Sequence, residues 1–127
     1  MKMTDLQRQD YNALSREDKK KFDSYSKEHP NWEFEQVLKR LVLSKRLDSA
    51  VEQGGADLNP EDPTIWIEIM EGVKVTLSKF KSIGVAVFKT LDKAIGALKD
   101  AVSSGMEKIR SVIQNIRDYF NFKPSAL

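Results

Sequence analysis

Polar and hydrophobic positions recur with helical period through most of this chain, in segments set off by start and stop signals. Two helix-start signals open it, Thr4-x-x-Gln7 and Ser15-x-x-Asp18. A hydroxyl in the first place accepts from the open amide three residues on, and the side chain there reaches back to the cap. Gln7 completes that box, and Asp18 is a shorter substitute. The spacing predicts helices over Asp5–Ala13 and Arg16–Glu28, the second with Phe22 and Tyr25 at i, i+3 and Lys19, Lys20 and Lys21 exposed. His29-Pro30 ends it, because the residue before proline disfavours the α region. A third helix is expected over residues 32–53, capped by Asn31. Its buried face is Phe34, Val37, Leu38, Leu41, Leu47 and Val51, with Lys39, Arg40, Lys45 and Arg46 mostly off that face. Gly54-Gly55 stops it. A loop follows, and Asp62 then caps a new helix with Pro63 at its first position, where the missing N–H costs nothing.

From Trp66 the pattern is more regular. Trp66, Met70, Val73, Leu77, Phe80, Gly84, Phe88, Leu91, Ile95, Leu98, Val102, Met106, Ile109, Ile113, Ile116 and Phe120 make fifteen steps over 54 residues. That mean of about 3.6 is the period of a straight α-helix rather than of a left-handed coiled coil. An unbroken helix over residues 64–120 would be about 85 Å long at ~1.5 Å per residue, against a radius of gyration near ~14 Å for a compact chain of this size. A break is therefore expected at residues 103–105, where Ser104-x-x-Glu107 reads as a capping box, and next at Gly84. Residues 83–88 are the most uniformly apolar piece and are expected to be the most buried. A faint repeat relates residues 72–83 to 84–95, with five of twelve positions identical. Amphipathic composition alone can produce that much. The organisation predicted is a single all-α domain, a helical bundle. Residues 1–55 form short helices, 56–63 a loop, and 64–121 a long amphipathic helical region, broken or not, that packs on them.

Composition narrows the function. The 127 residues suit one domain, and a net charge of +2 gives no strong field toward nucleic acid, which is not an expected partner. The total hides an asymmetry. Residues 1–63 carry 11 Lys/Arg and 13 Asp/Glu, and residues 64–127 carry 10 and 6. There are no cysteines, which excludes disulfides, thiolate metal sites and thiol nucleophiles. The first residues hold no apolar signal segment. The longest charge-free run of the second half, residues 82–88, is far below the ~20 residues a membrane span needs. The expected location is cytoplasmic or otherwise intracellular, with a peripheral membrane position as the alternative.

Candidate chemistry is sparse. The sole histidine, His29, sits at a helix end with no nucleophile in reach of the pattern, and reads as a solvated turn residue. Asp57-x-Asn59-x-Glu61 with Glu68 matches four ligand positions of a calcium loop, but Asp62 stands where that loop needs glycine, and Asp62 reads better as a helix cap. Glu68 and Glu71 share one helix face without the histidine that a carboxylate metal site would add, and suit a helix N-terminus electrostatically. Lys19–Lys21 and the pairs Lys39/Arg40 and Lys45/Arg46 are interleaved with acids and read as a solvated face. No enzymatic activity, metal or cofactor is expected.

The C-terminal region carries the functional expectation. Turned at about 100° per residue, Lys74, Lys81, Lys99, Arg110 and Arg117 form a basic stripe on one side of the apolar line, with Asp92 the one acid inside it. Glu71, Asp100, Glu107 and Asp118 fall on the outer face, with Lys79 and Lys93 near it. Ile69, Ile83, Val87, Ala94 and Val112 make the other flank apolar. The expected partner or lipid interface is Trp66, Leu77, Phe80, Phe88, Leu91, Leu98, Ile109 and Ile116. These would serve packing, self-association or a protein partner. The alternative is an anionic membrane surface, where Lys and Arg stems cover apolar area while their charges reach phosphates.

Overall fold

Thr4 starts the first helix as its sequence implies: its hydroxyl accepts from the Gln7 amide at 3.2 Å, and the Gln7 side chain accepts from the Thr4 amide at 3.0 Å. The computed structural model, which describes residues 1–54, 59 and 61–122, continues from there as an all-α, six-helix bundle. The helices are α1 (Asp5–Ala13), α2 (Arg16–Glu28), α3 (Phe34–Gly54), α4 (Pro63–Leu77), α5 (Val85–Val102) and α6 (Met106–Tyr119). No strand occurs among the described residues. Ser15 caps α2 by accepting from the Asp18 amide, and the Asp18 carboxylate turns outward to Lys45 at 2.7 Å. Asp62 caps α4 with Pro63 in its first turn.

α3 begins at Phe34 rather than at Trp32. The Trp32 amide donates to the His29 carbonyl, and the exposed His29 ring stacks on Trp32 with centroids 3.8 Å apart, so both belong to the turn. The buried face of α3 also ends early. Val37, Leu38 and Leu41 are sealed, Leu47 is half-buried, and Val51 is 51% exposed. α2 covers only the first part of α3, through Tyr25–Ser44 and Asp18–Lys45. In the last turns Leu47 and Ala50 still pack against the core, while Val51 stands clear of it.

The long stretch breaks at both glycine sites, and no single helix is unusually long. α4 stops at Leu77, residues 78–84 turn the chain, and a three-residue turn separates α5 from α6. Members of the apolar line leave the core only at the breaks: Gly84, Val102 and Met106 are exposed, and Phe80 and Phe88 are partly so. Residues 83–88 are accordingly not the most buried segment. Ile83 and Val87 are covered, but Val85, in the first turn of α5, is 68% exposed. The Ser104 capping box does not form. Ser103 and Ser104 both donate their hydroxyls back to the Asp100 carbonyl, closing α5, and α6 starts at Gly105 with φ +106°.

α4 lies at the centre, packed against α3 on one side and α5 on another, with α6 crossing it. The core joins Phe22, Phe34, Leu38 and Leu41 to Trp66, Met70, Leu91, Leu98, Ile113 and Phe120. Two polar ties hold the periphery. The nearly sealed Asp10 carboxylate on α1 accepts from the Lys81 and Ser82 amides at 2.8 and 2.7 Å, pinning α1 to the α4–α5 turn. Two cations of α3 hold the end of α6. Lys39 Nζ lies 4.0 Å from the Tyr119 ring centroid, and Arg40 donates to the Asn121 carbonyl at 2.8 Å while facing the Phe122 ring. Positive charge at a helix C-terminus offsets its dipole. Lys39 is thus buried rather than off the packed face.

Candidate functional site

The eight residues expected to form an interface point mostly inward. Trp66, Leu77, Leu91, Leu98, Ile109 and Ile116 are buried in the shared core, and Phe80 and Phe88 are half-buried against it. They are covered chiefly by one another's helices, α4, α5 and α6, and by α3.

The five basic residues are dispersed rather than assembled, because α4, α5 and α6 are separate rods whose faces point apart. Lys74 pairs with Asp92 at 2.6 Å and Lys99 with Glu71 at 3.9 Å, two exposed ion pairs that tie α4 to α5. Lys81 reaches Gln9 at 3.3 Å. Arg117 is buried over the Trp66 ring, 3.9 Å from Glu61, and its Nε has no hydrogen-bond partner among the described residues. Arg110 is exposed. The Glu68/Glu71 pair is likewise divided, since Glu71 faces Lys99 while Glu68 lines a cleft between α3 and α4. Asp57 of the calcium-loop pattern lies outside the described residues. Asn59 accepts from the Glu61 amide and Asp62 from the Thr64 amide, so both side chains serve the turn into α4. Among the described residues no cluster of three or more His, Cys, Asp or Glu could hold a metal ion, and no helix is long and apolar enough to cross a membrane.

The structure instead opens an apolar groove of about 450 Å³ between α5 and α6. Met70 of α4, Leu91 and Ile116 form its buried floor. Thr90, Lys93, Ala94 and Ala97 make one wall, and Val112, Asn115 and Tyr119 the other. The walls recur at helical spacing, 90, 94, 97 on α5 and 112, 115, 119 on α6, so the groove runs along both helices for about two turns. Ala94 and Ala97 are small enough to let another backbone come close. Tyr119 is steadied from behind by Lys39, which fixes one wall in place. The Lys93 ammonium stands on the lip with no carboxylate partner among the described residues.

The sequence pattern touches part of this site: Leu91 and Ile116, both expected in the interface, lie in its floor. Ala94 and Val112 stand on the apolar flank read from the helical wheel, but Lys93 falls near the outer face and Tyr119 has no assigned place. A groove depends on how far two helices splay, which their separate wheels do not contain. Comparison of the chain with protein-family models, with curated protein sequences and with solved structures finds no match.

Proposed function

We propose that this chain is a non-enzymatic interaction and assembly protein that docks an apolar helical face in the groove between α5 and α6. The observation that supports this is a groove floored by Met70, Leu91 and Ile116 that stays open after the six helices have packed. Open apolar surface of this kind marks interaction sites, and a two-turn trough between helices matches helix-in-groove recognition. The lining offers methyl groups, a phenol, an amide, a hydroxyl and one ammonium. That inventory suits docking better than acid–base or nucleophilic chemistry.

Amide chemical shifts of the full chain test the reading. The probes are synthetic amphipathic helices of Leu and Ala flanked by Glu, Gln or Lys, and, separately, phosphatidylcholine vesicles containing phosphatidylserine. Docking predicts saturable shifts at Ala94, Ala97, Val112 and Tyr119 with at least one peptide. Perturbation of those amides by vesicles but by no peptide would transfer the site to the lipid reading. No change with any probe would remove the groove as a site.

A further inference from the structure

We propose that the groove's occupant is a second copy of this chain, which inserts the exposed end of α3 and so assembles head to tail. The inference rests on the docking reading and adds the identity of the partner. Charge is the first support. Residues 47–73 hold seven acids and no Lys or Arg, whereas residues 74–117 hold nine Lys/Arg and three acids. Complementary potentials of this kind steer and register protein contacts. The second support is local. Asp48, Val51 and Glu52 stand at i, i+3 and i+4 on the uncovered face of α3, with Val51 half exposed between two carboxylates that have no ion-pair partner among the described residues. The groove presents the converse, an apolar trough with Lys93 on its lip. Lys89 lies one turn along the same face of α5 and Lys108 one turn before Val112, neither in an ion pair among the described residues. Asp100, beyond Ala97, is the acid at the far end of that wall.

Geometry makes the contact intermolecular. The end of α3 faces Ile65 and Ile69 of α4 across a cleft. At roughly 100° per residue these stand about 100–140° around the helix from Met70 in the groove floor. One copy therefore cannot fill its own groove, and the two surfaces are different patches. A contact between different patches is heterologous and leaves a free patch at each end.

Sedimentation velocity on the full chain tests this. Mass should rise with concentration, and association should weaken as salt is raised, because the charge contribution is screened. Lys93→Glu, and separately the double change Asp48→Lys with Glu52→Lys, should each weaken association about tenfold or more, ~1.4 kcal/mol per decade. All three positions are exposed, and circular dichroism is to check that each variant is folded. Mixed in equal amounts, the two variants should recover association, since each keeps one native patch and the reversed charges at 93 and at 48 and 52 complement each other again. A wild-type chain that stays monomeric at high concentration overturns the proposal, as does association that Lys93→Glu leaves unchanged or a mixture that recovers no association. If the Glu-flanked peptide fills the groove while the chain remains monomeric, docking stands and self-assembly falls. If neither binds, both fall.

Discussion

Asp10 is the residue whose surroundings ask most of its chemistry. It is 4% exposed, and both carboxylate oxygens are spent on amides of the α4–α5 turn. Hydrogen bonds to a charged acceptor contribute about 1.5–3 kcal/mol, and an orphaned buried amide costs more than a solvated one. Asp10→Ala should therefore lower the unfolding free energy by roughly 2–4 kcal/mol in urea titration, although no motif in the sequence marks the position. Its neighbour Tyr11 responds to pH. Its hydroxyl donates to the Asp23 carboxylate at 2.9 Å, and its pKa is raised by partial burial first, then by that hydrogen bond and by the negative charge of Asp23. A raised folded-state pKa means that the folded chain favours the protonated phenol. The stabilisation is fully present below the ordinary tyrosine value near ~10 and is lost as pH rises through the folded value. Tyr11→Phe should thus be less stable than wild type at pH 7. The gap between their urea midpoints should narrow above pH ~10. A constant gap across that range would show that the phenol does not titrate into the fold.

The turn between α5 and α6 shows how an element can be placed correctly for an incomplete reason. Gly105 sits at φ +106° and ψ 169°, a region open essentially to glycine and costing about 1–3 kcal/mol for other residues. Gly105→Ala should lose about that much by chemical denaturation, even though the position is exposed and a Cβ there would meet no neighbour within 4 Å. A drop well under ~1 kcal/mol would show that the backbone can relax there. The sequence placed the break here on the strength of Ser104, whose hydroxyl closes the preceding helix instead. The apolar line was legible because Trp66, Leu91, Leu98 and Ile113 face one core. It passed unbroken through Gly84, Val102 and Met106 only because the turns happen to keep the phase, so periodicity alone could not report that three rods had replaced one. Lys39 was misplaced for a related reason: its own wheel puts it outside, and it is the Tyr119 ring at the end of α6 that lies over its ammonium. The groove was illegible on the same grounds, being a property of two helices together.

At the scale of the whole molecule, α4 shares one core with α3, α5 and α6, so loss of a side chain there should be felt globally. Leu91 is sealed and lies in the floor of the groove. Leu91→Ala should cost about 2–5 kcal/mol, and helical circular dichroism and tryptophan fluorescence should still report one coincident transition. Separate transitions for the two probes would mean that the N-terminal helices and the α4–α6 assembly unfold independently. The Asp10 tie has a kinetic consequence as well. It joins positions 71 and 72 residues apart, and closing so long a loop costs chain entropy before the contact returns anything. Local helical hairpins, α1 on α2 through Tyr11 and Asp23 among them, are expected to form earlier, so the tie of α1 to the α4–α5 turn should close after the barrier. On a chevron plot Asp10→Ala should accelerate unfolding while leaving the refolding arm nearly unmoved. The last contact to close in folding would then belong to α1.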